Sequence, residues 1–231
     1  ISGWNVSSVT NMSEMFAYNG NYNKPLNDWD VSSVTNMSHM FAYTQNFNQP
    51  LDNWDVGSVV NFEGMFDNAS NFNQPLNNWN TSSALNLACM FCNAISFNQP
   101  LNDWNVSNVK EMNSLFAGTY YDQPLDKWDV SNVTNMSGTF GLTYYSQDIS
   151  GWDVSNVENF TGMFRSNTAF DYDISNWDIS KAKEMSGMFE EAGLSIDNYS
   201  NVLEKWSTLD LQPNVQFDAG SSQYYPHVQV K

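Results

Sequence analysis

The stretch Trp29–Leu51, WDVSSVTNMSHMFAYTQNFNQPL, is followed by a close copy at Trp54–Leu76. Tryptophan returns through the chain with steps of 25, 25, 25, 25, 24, 24 and 25 residues. The members of the series are Trp4, Trp29, Trp54, Trp79, Trp104, Trp128, Trp152 and Trp177. A period of this length marks units that stack on one another and share a core, because 25 residues are too few to bury a core alone.

The repeat predicts one elongated body rather than separate globular domains. We call each unit a coil and number the coils 1 to 8 by the tryptophan they contain. Eight coils fill residues 1–193, and residues 194–231 form a terminal unit without the repeat. The sequence Ile1-Ser2-Gly3-Trp4 matches Ile149-Ser150-Gly151-Trp152, so the chain starts inside a coil, and we expect it to be an excerpt of a longer protein.

Composition narrows the class of partner. The 231 residues are 41% hydrophobic and 15% aromatic, which is enough for a packed interior. Eight Lys and Arg against 25 Asp and Glu give a net charge of −17. That charge argues against nucleic acid and anionic membranes, and it permits cations, basic peptides or neutral glycans.

Within coil 2, Leu26, Trp29 and Val31 have the spacing L-x-x-L-x-L, which is the strand signature of leucine-rich repeats. Alternation along such a strand predicts that Asp28 and Asp30 point to solvent while the tryptophans point into the core. Val34, Met37, Met40 and Phe41 then match one face of a short helical or 3₁₀ segment.

Aromatic residues recur at two more repeat positions and predict two core columns. The first column contains Phe16, Phe41, Phe66, Phe91, Phe116, Phe140, Phe164 and Phe189. The second contains Tyr22, Phe47, Phe72, Phe97, Tyr121, Tyr145 and Phe170. A column of Asn, in which Glu111 and Glu184 replace two members, is predicted to be partly wet because unpaired buried carboxylates are costly.

The terminal unit predicts a cap. Ser195 is a candidate N-cap, and Tyr199, Val202, Leu203, Trp206 and Leu209 share one helical face. The stretch Val215–Phe217 is predicted to pair as a last short strand. An amphipathic helix at this place would cover the open end of the stack.

The fold class is therefore an α/β-type repeat solenoid. We expect a leucine-rich-repeat-like, right-handed parallel stack with short strands, short helical or 3₁₀ segments and a C-terminal helical cap. The stretches WDVSNVTNMSGTF (128–140) and SFNQPLNDW (96–104), with the closing NYSNVLEKW and FDAGSSQYY, resemble the BspA-like leucine-rich-repeat bacterial surface proteins. The resemblance implies a secreted or cell-surface setting and adhesion, and it supplies no catalytic residues.

We expect a non-enzymatic adhesion or ligand-binding module whose partner, a host or neighbouring-cell surface protein or glycan, binds on the extended solenoid face. The alternative is a structural spacer of a large surface protein. The candidate binding residues are the outward side chains beside the tryptophans, namely Asp28, Asp30, Asn53, Asp55, Asn78, Asn80, Asp103, Asn105, Asp129, Asp153 and Asp178.

No cofactor or metal is predicted. Calcium is possible at an Asp column but is not favoured, because no calcium-loop motif occurs in the sequence. The two cysteines, Cys89 and Cys92, are interpreted as structural, with a local disulfide left open. An enzyme is not expected, because neither His39 nor His227 belongs to a recognisable Ser/His/Asp arrangement.

Overall fold

The computed structural model describes residues 1, 3–226 and 228, and it contains a stack of coils. Equivalent residues of neighbouring coils pair in parallel, one residue per coil, along an unbroken series. The series runs through Asn11, Asn36, Asn61, Asn86, Glu111, Asn135, Asn159 and Glu184. The prediction of a repeat solenoid is confirmed. Positions 2, 227 and 229–231, which include His227 and the end of the predicted terminal unit, lie outside the described residues.

The paired position is not the predicted one. In coil 2 the Trp29 amide donates to the Leu26 carbonyl at 3.0 Å and the Val34 amide donates to the Val31 carbonyl at 2.9 Å. Leu26–Val31 therefore closes turns within its own coil instead of forming a strand, and the parallel contact lies at the Asn column. The predicted short strands are wrong for the described residues, where pairing is limited to single bridges.

The segment after each bridge also differs from the predicted short helix. Its amides alternate between two kinds of acceptor. Every second amide, those of Met37, His39, Phe41 and Tyr43, donates to the next coil at 2.7–2.9 Å. Of the amides between them, those of Met40 and Ala42 donate to the carbonyl three residues back within the coil, at 3.1 and 3.0 Å, and that of Ser38 donates to Asn36 Oδ1 at 2.9 Å. The backbone thus forms a chain of turns that bonds inside the coil and between coils at the same time.

This chain of turns requires a left-handed backbone conformation at a fixed place in each coil. His39 has φ of 55°, and the same position is Gly64, Gly138, Gly162 and Gly187 in four other coils, with φ of 59° to 63°. Glycine tolerates this region at little cost, whereas a Cβ atom is crowded there. The apparent helical spacing in the sequence therefore reflects turns with regular positive φ, which no α-helix or 3₁₀-helix contains.

The predicted aromatic columns form the core. Phe41, Phe66 and Phe91 are fully buried, and each ring stacks on the next at 5.7 Å between centroids. Inside each coil the two columns also touch, as Phe66 and Phe72 do at 4.0 Å. The dominant stabilising contribution is thus a continuous apolar interior shared by neighbouring coils.

The tryptophan column is buried from coil 2 to coil 8. The indole N–H of Trp54 donates to the Leu26 carbonyl of the preceding coil at 2.9 Å, and the same bond recurs in the following four coils. An indole can fill the core and satisfy a buried carbonyl at once, which phenylalanine cannot do. The prediction that all eight tryptophans are buried is wrong for Trp4, which is 57% exposed because no coil covers the outer face of coil 1.

The cap helix α1, Ile196–Trp206, closes the other end of the stack. Ser195 is its N-cap and accepts a hydrogen bond from the Asn198 amide, and Asp197 and Lys205 complement the helix dipole. The buried face of α1 contains Tyr199, Ser200, Val202, Leu203 and Trp206. Beyond α1, Phe217 pairs in parallel with Met185, the residue that follows the last member of the bridge series. Of the stretch Val215–Phe217, which was predicted to pair as a last short strand, only Phe217 forms a bridge.

Cys89 and Cys92 form a disulfide across one turn of coil 4. Cys89 occupies the left-handed position, with φ of 54°. The loop closed by this bond is short, so the bond constrains the turn locally rather than the whole stack.

Candidate ligand-binding surface

All eleven predicted binding residues are exposed on the solenoid surface. They form two neighbouring columns. Asp28, Asn53, Asn78 and Asp103 form the column before the tryptophan, and Asp30, Asp55, Asn80, Asn105, Asp129, Asp153 and Asp178 form the column after it. Their exposure agrees with the prediction, although it comes from turns rather than from strand alternation.

The column after the tryptophan has a role inside each coil. The Oδ1 atom of Asp30 accepts from the Ser32 amide at 3.2 Å and from the Ser32 hydroxyl at 2.6 Å. The equivalent side chain accepts from the amide two residues on in every later coil, as Asp153 does from Ser155 at 3.0 Å. Bonding to the Ser32 hydroxyl and amide holds the pKa of Asp30 below its ordinary value. An Asx turn therefore accounts for Asp or Asn at this position without any ligand.

One member of the column before the tryptophan, Asp103, has side-chain bonds to both neighbouring coils. Asp103 accepts from the Asn77 amide nitrogen Nδ2 at 3.0 Å and from Lys127 Nζ at 2.8 Å. The Asn77 bond, followed by Lys127, lowers the pKa of Asp103. These bonds connect three successive coils on the surface. The exposed ion pair contributes little to stability by itself.

We expect Asp30, Asp55, Asp129 and Asp153 to tolerate Asn but not Ala. Asn keeps the Oδ1 acceptor of the Asx turn and removes four like charges, so the fourfold Asn variant should melt at the same temperature or slightly higher in low salt. The fourfold Ala variant should melt several degrees lower, because four turns lose their acceptor. Thermal unfolding followed by circular dichroism measures both, and equal melting temperatures for the Asn and Ala variants would contradict the structural role.

The Asn column that carries the bridges is partly wet, as predicted, because Asn11 and Glu184 are exposed and the members between them are half-buried. Its carboxylates are paired with amides of neighbouring coils. Asn135 Nδ2 donates to Glu111 Oε2 at 3.0 Å, and Asn159 Nδ2 donates to Glu184 Oε2 at 2.8 Å. Solvent access and these hydrogen bonds stabilise the charged carboxylates of Glu111 and Glu184, so glutamate can replace asparagine in the column.

The motif NQP contains a second amide ladder that the sequence did not reveal. Asn48 Oδ1 accepts from the Asn73 amide at 3.0 Å and from Gln74 Nε2 at 2.9 Å in the next coil. Equivalent bonds join the other coils up to Ser146, whose amide donates to Asp122 at 2.8 Å. The repetition of Asn-Gln was the available signal, and its physical reason is satisfaction of backbone groups between coils.

Two pairs of exposed tyrosines stack between adjacent coils, one pair two residues after the first-column phenylalanine and the other four residues after it. Tyr18 and Tyr43 lie 4.9 Å apart between ring centroids, and Tyr120 and Tyr144 lie 6.2 Å apart. We call these residues the tyrosine edge. All four side chains are exposed, with Tyr18 at 76% and Tyr43 at 37%. Sequence reasoning missed them because they interrupt, rather than follow, the repeated pattern.

The first pair borders a small cleft formed by coils 1 to 3. Glu14, Tyr18, His39, Ala42, Tyr43 and Asp67 line this cleft, which has a volume of about 250 Å³. We call it the N-terminal cleft. The His39 imidazole lies directly over Gly64, where any Cβ atom would collide with the ring. Gly64 thus provides the space that the imidazole occupies.

Asp67 is half-buried in the cleft wall. Burial raises the pKa of Asp67, while a hydrogen bond from Asn68 and the nearby His39 oppose that rise. Asp67 has no ion pair with Lys or Arg among residues 1, 3–226 and 228. Its carboxyl group is therefore held in a poorly solvated place without a Lys or Arg partner among the described residues.

The pattern of columns belongs to a known family. The family model described as "Mycoplasma protein of unknown function, DUF285" matches residues 1–85, 23–123, 49–144 and 118–217. The chain is a member of this family. The four overlapping matches follow from the repeat itself, because each match begins at a different coil. The family description names no activity, so the site must be interpreted from its own geometry.

Comparison with solved structures and with curated proteins does not indicate a function for this chain. The chain is similar to an internalin from Listeria monocytogenes at 9% identity, with 87% of this chain and 76% of that chain covered. The TM-score of 0.25 is too low to indicate a shared arrangement. No curated protein matches the sequence. Within the described residues, no helix has the length and apolar character that crossing a membrane requires.

One cluster has the composition of a metal site. Potential ligand atoms of Asp67, Cys89 and Cys92 lie within 4.8 Å of one another. The two sulfur atoms are joined in a disulfide and carry no thiolate, which is the form that binds zinc. In this redox state the cluster offers a single carboxylate and does not fit a zinc ion.

Proposed function

We propose that this family member is a non-enzymatic ligand-binding module of a cell-surface adhesin of the BspA-like type. It works outside the cell as part of a longer protein and binds a surface protein or glycan of a host or neighbouring cell. The partner contacts the side of the solenoid. The tyrosine edge makes the main contact with the partner. The exposed Asp and Asn columns beside the tryptophans make additional polar contacts.

The observation that supports this proposal is the exposure of two stacked tyrosine pairs, each formed between adjacent coils. Tyr18, Tyr43, Tyr120 and Tyr144 are exposed while both core aromatic columns are buried from coil 2 onward. Exposed aromatic side chains are enriched where proteins bind partners, because they bury large area at low entropic cost. A spacer gains nothing from them.

The alternative is a structural spacer that holds another domain away from a surface. The regular inter-coil bonding would serve a spacer equally well. The acidic columns do not separate the two functions, because their Asx turns explain them structurally. The tyrosine edge is thus the feature on which the two functions differ.

A binding screen tests the proposal. The purified chain is applied to immobilised glycans and extracellular proteins, beside a variant with Tyr18, Tyr43, Tyr120 and Tyr144 replaced by residues of equivalent coils. We expect a ligand that binds the parent and at least tenfold less of the variant. The replacements are Tyr18→Asn, Tyr43→Asn, Tyr120→Ser and Tyr144→Ser, taken from Asn68, Asn93 and Ser70. Binding that is equal for both chains, or absent for the parent, would favour the spacer.

A further inference from the structure

Coils 1 and 2 place large side chains where the backbone favours small ones. At the first left-handed position they have Glu14 and His39, with φ of 58° and 55°, where four other coils have glycine. At the second such position they have Tyr18 and Tyr43, with φ of 59° and 58°, where coils 3 to 5 have Asn68, Asn93 and Gly118 and coils 6 to 8 have Leu142, Ser166 and Glu191. Left-handed backbone disfavours bulky residues, so the folded state offers no conformational reason for these four side chains.

These four side chains come together at one place. Glu14 and His39 occupy equivalent positions in adjacent coils, as do Tyr18 and Tyr43, and all four line the N-terminal cleft. Asp67 closes the cleft from coil 3, with its carbonyl accepting the Tyr43 amide at 2.7 Å. The cleft therefore combines an aromatic surface, an imidazole and two carboxylates.

The charge of this region is strongly negative. Residues 1–75 contain seven Asp and Glu, one Lys and no Arg. The carboxyl group of Asp67 is held half-buried without a Lys or Arg partner among the described residues, and the nearby His39 imidazole lies 4.0 Å from the carboxylate of Glu63. Such an arrangement is complementary to a positive group that comes from another molecule.

We propose that the N-terminal cleft binds an arginine or lysine side chain of a basic peptide segment. The cation stacks on the exposed rings of Tyr18 and Tyr43 and pairs with the carboxylates of Glu14 and Asp67. Aromatic rings attract cations through their π faces, and a guanidinium group also stacks on them. This inference rests on the proposed ligand-binding function and names the class of ligand for one part of the tyrosine edge.

A peptide cation fits the cleft better than a calcium ion does. Calcium requires six to eight oxygen ligands and is not coordinated by aromatic rings or an imidazole. The second tyrosine pair offers an internal comparison. Tyr120 and Tyr144 also stack, but they follow Phe116 and Phe140 by four residues instead of two and do not line the N-terminal cleft.

The test uses a fluorescein-labelled peptide with three arginines separated by Gly-Ser, and a matched peptide with citrulline at those positions. Citrulline keeps the planar shape, removes the charge and replaces one NH2 donor group of the guanidinium with a carbonyl acceptor. Fluorescence anisotropy is measured in about 150 mM salt, where long-range attraction is screened within about 8 Å. We expect the arginine peptide to bind at least fivefold more tightly than the citrulline peptide.

Variants of the chain distinguish binding in the N-terminal cleft from nonspecific attraction to the negatively charged protein. Tyr18→Asn with Tyr43→Asn keeps the net charge and restores the residue of coils 3 and 4, and it should weaken binding of the arginine peptide at least fivefold without lowering the melting temperature. Tyr120→Ser with Tyr144→Ser should change binding less than twofold. Asp67→Asn should weaken binding at least fivefold.

Equal losses in the two tyrosine variants, no loss in either, or equal binding of the citrulline peptide would overturn the proposal. Failure of the arginine peptide to bind the parent would also overturn it. In that case a glycan or other ligand found in the immobilised screen, and lost from the fourfold tyrosine variant, would still support the proposed function.

Discussion

Removing residues 194–231 is expected to make the chain aggregate. The truncation uncovers coil 8, whose Met188 and Phe189 are buried beneath the cap. It also frees the edge that Phe217 now occupies opposite Met185, together with the Phe189 amide that donates to Asp218 at 3.0 Å. An apolar coil end with unpaired backbone groups is a template for further stacking. Size-exclusion chromatography with light scattering measures the result, and a truncated monomer that melts unchanged would show that the cap is dispensable.

A single substitution should reproduce part of this effect. A Cβ atom at Gly220 would collide with the carbonyl oxygen of Phe189 and crowd that of Ala192. Gly220→Ala should therefore loosen the cap while leaving it attached. Gly162→Ala is the matched control, because Gly162 has φ of 60° against 59° at Gly220, and its Cβ atom would meet only Arg165 Cβ at 3.7 Å. Both variants place a Cβ atom on a left-handed backbone and are destabilised by it. Only Gly220→Ala should also promote association.

Trp104→Ala is expected to lower the free energy of unfolding by about 3–5 kcal/mol, as large-to-small changes of buried aromatic residues do. Trp104 is 3% exposed, stacks on Trp79 at 6.4 Å and donates to the Leu76 carbonyl at 2.9 Å. Its loss leaves a cavity in the middle of the stack and removes a buried hydrogen bond. Urea unfolding followed by circular dichroism measures the change.

Trp4→Ala provides the matched control at the same repeat position. Trp4 is 57% exposed, so its removal should change the free energy of unfolding by no more than about 0.5 kcal/mol. The contrast depends only on whether a preceding coil covers the indole. Similar losses for the two variants would contradict the assignment of the tryptophan column to a shared core.

The repeated side chains carried most of the predictable information. The Trp and Phe columns predicted the stack and its interior because burial is a property of side chains, and identical side chains at a fixed period show it plainly. Ser195 and the apolar face of α1 likewise predicted the cap, because N-caps and amphipathic helices are recognised from the types of residue at fixed positions.

The backbone pattern was not predictable in the same way. Leu26, Trp29 and Val31 have the spacing of a strand, yet their amides close turns, because spacing reports which side chains are buried and not which amides pair. The left-handed positions were equally hidden, since glycine occurs at only some of them and His39 or Ser114 occupies others. Without the φ values, regular turns and short helical segments give similar apolar spacing.

The candidate surface shows where repetition misleads. Asp30 and its equivalents recur because every coil needs an Asx turn, so their regularity reports folding as directly as it reports binding. Tyr18 and Glu14 were overlooked because they depart from the repeat. In a repeat protein, the residues that vary at a sterically demanding position carry more functional information than those that recur.

The inter-coil hydrogen bonds have a mechanical consequence. They join each coil to the next along the length of the stack, so tension between the two ends of the chain loads the terminal interface before the central ones. A coil that peels away releases about 80–90 Å of contour from 25 residues, whereas it occupied only about 4.8 Å in the stack. A tether built in this way lengthens in discrete steps under load and keeps its remaining coils, together with any ligand bound to them, intact while it does so.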